Sequence, residues 1–109
     1  MNLTTDIRDT TAIVSIAGRL TAAGAPRLRA AVNDLIAAGT HRIVVDLGQT
    51  EFVDSSGLGA LIGGLKNARI KGGDLRIAAV PESVQTVLKL TNLDRVLRSH
   101  ATAEEAFDE

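Results

Sequence analysis

The run Ile43-Val44-Val45-Asp46-Leu47 constrains the fold more than any other stretch of this chain. Successive side chains on a strand point to opposite faces, so a nearly unbroken apolar run needs cover on both sides of its sheet. Strands of this kind sit in the middle of sheets flanked by further layers. With 109 residues the chain is long enough for one such domain and too short for two.

The flanking sequence supplies alternating strand and helix signals. Leu3, Thr5 and Ile7 alternate with Asn2, Thr4, Asp6 and Arg8, the period of a half-buried strand. The turn-like Arg8-Asp9-Thr10 leads to a second strand with Ala12, Val14 and Ile16 on one face, ended by Gly18-Arg19-Leu20-Thr21. Pro26 suits the first residue of a helix, where its missing N–H costs nothing. Leu28, Ala31, Val32, Leu35 and Ile36 follow at helical spacing, and Gly39 caps the last turn. After the central strand comes a loop holding Phe52 and Val53. A helix with Leu58, Leu61, Ile62 and Leu65 on one stripe follows, closed by Gly72-Gly73-Asp74. Leu75 to Val80 reads as a strand, and Pro81-Glu82 opens a third helix through Val84, Val87 and Leu88. A short strand is expected near Val96-Leu97. Thr102-Ala103-Glu104-Glu105 has the spacing of a capping box, which predicts a last helical turn that carries Phe107 back to the core.

The order β-β-α-β-α-β-α-β-α predicts an α/β domain with a mixed central sheet of about four or five strands and flanking helices. The later strands run parallel, joined by right-handed crossovers. No repeat, linker or low-complexity tract divides residues 1–109.

Composition narrows the function. Lys plus Arg total 12 against 13 for Asp plus Glu, a net charge of -1, so no general basic field exists to hold a nucleic acid. Two Phe with no Trp or Tyr leave few platforms for stacking bases or sugars. The absence of Cys removes disulfides, thiolate nucleophiles and Cys-based zinc sites. No apolar run is long enough to span a bilayer. Met1 to Arg8 lacks the cationic-then-apolar order of a secretory signal. A cytoplasmic protein without membrane insertion, cofactor or metal is the expectation; the oligomeric state is left open.

The most unusual segment is Glu51-Phe52-Val53-Asp54-Ser55-Ser56-Gly57-Leu58-Gly59, where two adjacent hydroxyls stand between a strand end and a helix start. Ser55 has the place of an N-cap, its oxygen accepting an N–H of the first turn, and capping alone explains Asp and Ser here. The helix beyond it is harder to explain. It carries Gly57, Gly59, Gly63 and Gly64, each costing about 1 kcal/mol against alanine inside a helix. Gly57, Ala60, Gly64 and Ala68 form a small-residue strip rotated away from the leucine stripe. Two arrangements stay open: the strip faces solvent and accepts a partner, or it lets the helix pack tightly on its own sheet.

Enzyme readings of this segment fit poorly. Gly57-x-Gly59-x-x-x-Gly63 misses the dinucleotide spacing by one residue, although Asp74 lies at a tolerable distance for a ribose contact. In Gly59-x-x-x-x-Gly64-Leu65-Lys66 the Lys is displaced and no Ser or Thr follows to hold magnesium. Neither Ser55 nor Ser56 stands in a nucleophile elbow, and the two candidate bases, His41 and His100, border expected surface turns. Asp46 and Asp54 lie at opposite ends of the expected loop. Glu104, Glu105, Asp108 and Glu109 read as a solvated acidic tail. Arg19, Arg27 and Arg29 read as ordinary exposed charge around the first helix. A small nucleotide-binding enzyme is thus a remote alternative.

Val45-Asp46-Leu47 followed by Phe52-Val53-Asp54-Ser55-Ser56-Gly57-Leu58-Gly59 resembles the signature of the STAS domain, especially of bacterial anti-sigma factor antagonists. Gly18-Arg19-Leu20 and Gly72-Gly73-Asp74-Leu75 resemble that family's segments before the first helix and into the next strand. The resemblance implies a non-enzymatic partner switch. The unmodified antagonist binds an anti-sigma factor that is also a serine kinase, and so frees a sigma factor. The kinase phosphorylates the Ser after the Asp of the motif, here Ser55, and a phosphoserine phosphatase reverses this. Asp54, Ser56, Gly57 and Leu58 beside it, with Ala60 and Gly64 on the small strip, are the expected partner-binding residues. Thr21 joins them as a departure, since many antagonists carry an acid there. A STAS accessory subunit of a membrane transporter ATPase or of a stress-signalling complex, without phosphorylation, is the alternative within the resemblance.

Overall fold

The apolar run lies in the middle strand of a five-stranded sheet. The computed structural model describes residues 1–107. They form β1 (Asn2–Arg8), β2 (Thr11–Leu20), α1 (Ala25–Ala37), β3 (Arg42–Val53), α2 (Ser55–Ile70), β4 (Asp74–Ala78), α3 (Glu82–Leu90), a 3-10 turn over Leu93–Arg95 and β5 (Ser99–His100). The sheet order is β1-β2-β3-β4-β5, with β1 antiparallel to β2 and every later pair parallel. The mixed sheet and the element order through α3 agree with the sequence reading.

The strand alternation divides the core in two. Val14, Ile16, Ile43, Val45, Leu47, Leu75 and Ile77 pack with Leu28, Val32, Leu58, Leu61, Leu65, Val84 and Leu88 of the helices in one large cluster. Ile13, Val44 and Ala78 instead pack with Ala103, Ala106 and Phe107 of the C-terminal segment. Ile43, Val44 and Val45 are all fully buried, so each face of the central strand has its cover. Burying an aliphatic side chain of this size contributes roughly 1.5–3 kcal/mol. Arg76, only 8% exposed, helps pin the C-terminal segment. Its Nη1 donates to the Ala106 carbonyl at 2.7 Å, its Nε to Asp74 at 3.2 Å, and its guanidinium lies 4.3 Å from the Phe107 ring centre.

Local chemistry ends the helices as expected. Gly39 at φ +94° lets the Thr40 N–H return to the Leu35 carbonyl at 2.9 Å, and Gly72 at φ +84° does the same for Gly73 N–H and Ala68 at 2.8 Å. Helix α1 begins one residue before Pro26, at Ala25.

Several expectations are corrected. Strand β1 is an edge strand covered only at its start: Leu3 is half-buried against the main core, but Thr5 is exposed and Ile7 is 59% exposed. Strand β4 stops at Ala78, because Ala79 turns to φ +54°. Val96 and Leu97 follow the 3-10 turn instead of forming a strand; Leu97 plugs the core, and the pairing with β4 falls on Ser99–His100. The expected closing helix is a run of turns from Ala101 to Phe107, although Thr102 Oγ1 does accept the Glu105 N–H at 3.3 Å and Phe107 does pack inward. Glu104 and Glu105 are exposed, while Asp108 and Glu109 lie outside the described residues.

The correction that matters most concerns β3. The expected loop after Leu47 is strand, paired with β2 as far as Val53. Register shifts between Ser15 and Ala17, and between Gly18 and Arg19, absorb the extra residues of β3. At the first irregularity Asp46 accepts the Gly48 N–H at 2.9 Å, and further along Thr50 Oγ1 donates to the Ile16 carbonyl at 2.8 Å. Pairing of β3 with β4 ends at Asp46 and Ala78. Strands β2 and β3 therefore run on together, and their ends deliver Thr21 and Asp54 to one place.

Candidate functional site

That place is the start of α2. The N-cap is Asp54, not Ser55: its backbone is extended and its carboxylate accepts the Gly57 N–H at 2.9 Å. The other carboxylate oxygen accepts the Ala22 N–H at 3.3 Å, and the Asp54 N–H donates to the Leu20 carbonyl at 3.2 Å. One acid thus ties the end of β2 to the first turn of α2. The Thr21 carbonyl in turn accepts the N–H groups of Gly24 at 3.0 Å and Ala25 at 2.8 Å, which starts α1 from the same corner.

Because Asp54 does the capping, the hydroxyl after it is released. Ser55 is the first helical residue, is exposed, and makes no side-chain hydrogen bond among the described residues. Ser56 and Thr21 beside it are half-buried. The sheet and the cap therefore hold a free primary hydroxyl at a fixed point on the surface.

The small-residue strip is settled in favour of packing. Gly57, Ala60, Gly64 and Ala68 are all buried, and so is Leu58. A Cβ on Gly57 would stand 2.5 Å from the Leu20 carbonyl oxygen and 2.9 Å from Val53 Cγ1; one on Gly64 would stand 3.0 Å from Leu75 Cδ1 and 3.2 Å from Val32 Cγ1. Gly57, Leu58, Ala60 and Gly64, expected as partner-binding, thus face the protein's own sheet and first helix. They shape the site from beneath. The other two glycines of the helix are different: Gly59 is exposed and Gly63 half-buried.

Three surface residues near the hydroxyl were undervalued in the sequence. Phe52, placed by the longer β3 just before Asp54, is 43% exposed, with the Arg19 guanidinium 4.7 Å from its ring centre. Arg29 crosses from α1 so that its Nη2 stands 3.4 Å from where a Cβ of Gly59 would be. An aromatic in the motif of a chain with only two was the available signal for Phe52; nothing local marks Arg29.

The glycine-rich segment is helical from Ser55 onward, so the near-miss phosphate patterns lie within helix turns and not in a loop that cradles phosphate. His41 sits just before β3, at the opposite end of that strand from Ser55, and His100 lies in β5, two strands away. Both are half-buried, with His41 Nδ1 and His100 Nε2 buried and without a partner among the described residues, not solvated as expected. No helix among the described residues is long and apolar enough to cross a membrane.

The fold and the corner together define a class: a parallel-rich sheet whose first two helices start at one corner, where an Asp caps the second helix and leaves an exposed serine beside it. Residues 3–99 match the family described as "Mlab, STAS domain", and the chain belongs to the STAS domain family. Over 71 residues it is 37% identical to a Thermotoga maritima protein provisionally assigned as an anti-sigma factor antagonist, covering 65% of this chain and 63% of that one. The matched part is thus under two thirds of that relative's length. An anti-sigma-B factor antagonist of Staphylococcus epidermidis is 27% identical over 104 residues, 95% of this chain and 96% of its own. Among solved structures, the crystal structure of an anti-sigma factor antagonist from Mycobacterium paratuberculosis superposes with a TM-score of 0.85 at 25% identity, covering 96% of this chain and 89% of that one.

Proposed function

We propose that this chain is an anti-sigma factor antagonist: its unmodified form binds a serine-kinase anti-sigma factor at the start of α2, and phosphorylation of Ser55 switches that binding off. The observation that carries the reading is the division of labour between Asp54, which caps, and Ser55, whose hydroxyl is exposed and unbonded. A kinase needs such a hydroxyl, and a partner needs it on a rigid frame. The relatives named as antagonists support the partner class. The Bacillus cell fate determinant SpoIIAA, similar in fold at a TM-score of 0.77 and 20% identity, is known in a phosphorylated form, so a phosphate is compatible with this fold.

A phosphate on Ser55 brings roughly -1.5 to -2 charge at neutral pH. It stands outside the core and beside the half-buried carboxylate of Asp54, with Glu51 exposed nearby in sequence. Its cost therefore falls on a docked partner and leaves the fold intact. An uncompensated charge at a desolvated contact costs several kcal/mol, and each 1.4 kcal/mol is about tenfold in affinity. The docking face in this reading comprises Thr21, Phe52, Asp54, Ser55 and Ser56, with Gly57, Leu58, Ala60 and Gly64 supporting it from below. A phosphatase acting on phosphoserine resets the switch.

Calorimetry against the organism's serine-kinase anti-sigma factor tests this. Ser55→Glu weakens binding at least about tenfold with an unchanged unfolding midpoint; equal affinities overturn the reading. Incubation with that kinase and ATP, followed by intact mass, adds one phosphate to the wild type and none to Ser55→Ala. A chain that stays unmodified while binding a transporter ATPase establishes the accessory-subunit reading instead.

A further inference from the structure

We infer that Arg29 is the built-in counter-ion of a phosphate on Ser55, reaching it across the space that Gly59 leaves open. The inference deepens the reading of Ser55 as a modified residue and rests on it. Ser55 and Gly59 are four residues apart on α2, so they lie one above the other on the same helix face. Side chains on a helix lean toward its N-terminus, and a side chain at position 59 would cover the turn that begins at Ser55. Gly59 has no side chain, and the guanidinium of Arg29 takes that place, with Nη2 3.4 Å from the missing Cβ. The group that lies over the turn below the hydroxyl is therefore a cation from another helix.

That cation is uncommitted. Arg29 is exposed and has no hydrogen bond or ion pair among the described residues. The neighbouring arginines are engaged: Arg27 Nη1 donates to the Met1 carbonyl at 3.0 Å, and Arg19 lies on the Phe52 ring. A phosphate on Ser55 also meets the partial positive charge at the start of α2, to which Arg29 adds a full cation. The carboxylate of Asp54 already holds the Gly57 N–H and adds negative charge beside Ser55. A guanidinium can meet two phosphate oxygens at once with parallel N–H donors. Phosphorylation then has two effects on the docking face: it adds charge at Ser55 and draws Arg29 toward it, out of reach of a partner.

The test does not require a kinase. Phosphoserine is incorporated at position 55 during synthesis of the full chain, and the phosphate is titrated by phosphorus NMR in the wild type, Arg29→Ala, Arg29→Lys and, as control, Arg27→Ala. An exposed ion pair stabilises the dianion enough to lower the second phosphate pKa by roughly 0.3–0.7 unit. The expected result is a rise of that size in Arg29→Ala, a smaller rise in Arg29→Lys and none in Arg27→Ala. Identical titrations in the wild type and Arg29→Ala overturn the inference and leave phosphorylation of Ser55 by a kinase untouched. Conversely, a chain that no kinase modifies still gives the titration its answer.

Discussion

The buried and exposed glycines of α2 have the same side chain, or lack of one, for different reasons. Gly57 and Gly64 lie inward: Leu20 and Val53 leave no room for a Cβ at Gly57, and the methyl groups of Leu75 and Val32 crowd one at Gly64. Gly59 and Gly63 lie outward; around Gly63 nothing stands within 4 Å of a Cβ, and beside Gly59 only Arg29 does. The inward pair brings the helix close to its sheet and so fixes the position of the Ser55 turn. The outward pair leaves open space around the helix, which Arg29 enters beside Gly59. A glycine-rich helix is thus a composite, in which one face is explained by packing and the other must be explained by what crosses it.

Substitutions separate the two kinds. Gly57→Ala has the largest expected effect, because its Cβ meets the Leu20 carbonyl, a backbone atom that also receives the Asp54 N–H and cannot move aside alone. A loss of about 2–3 kcal/mol is expected in urea unfolding; a neutral result would show that the inward face has slack. Asp54→Ala removes the cap and the tie to Ala22 and is expected to cost about 1–2 kcal/mol, measured the same way. It also frees the first turn, so amide exchange at Gly57 should accelerate more than exchange in the middle of α2. Gly63→Ala is expected to stabilise by up to about 1 kcal/mol, since only helix propensity changes; destabilisation would mean that the outward face packs against something. Gly64→Ala has the smallest expected effect. Its Cβ meets the methyl ends of Leu75 and Val32, which can give by a few tenths of an ångström, so about 1 kcal/mol of propensity gain offsets the crowding and the thermal midpoint should scarcely change.

Much of the architecture was legible because it is local. Period-two and period-3.6 patterns gave the strands of the central sheet and the three helices, and Gly39 and Gly72 announced their helix ends. Where the reading went astray, distant residues intervened. Gly48-Gln49-Thr50-Glu51 has the composition of a loop, yet pairing with β2 keeps it in β3, because bulges absorb the mismatch. Leu3, Thr5 and Ile7 have the alternation of a half-buried strand, yet β1 is an edge strand in which only Leu3 packs on the core and Ile7 stays exposed. The site residue was legible too, since Asp54-Ser55-Ser56-Gly57 is distinctive in sequence. Which of two adjacent polar residues serves as the cap was not, because that depends on the backbone turn between β3 and α2.

By itself, the sequence determined the order of elements through α3, the family, and the presence of a hydroxyl at the start of α2; periodicity and turn chemistry act between residues close along the chain, and they suffice for that. Tertiary structure decided that Asp54 caps so that Ser55 is free, that the small strip faces inward, and that Arg29 lies over Gly59. Each of these depends on which surface a neighbouring element presents, and glycine and alanine, which carry almost no side chain, cannot signal which way they will turn.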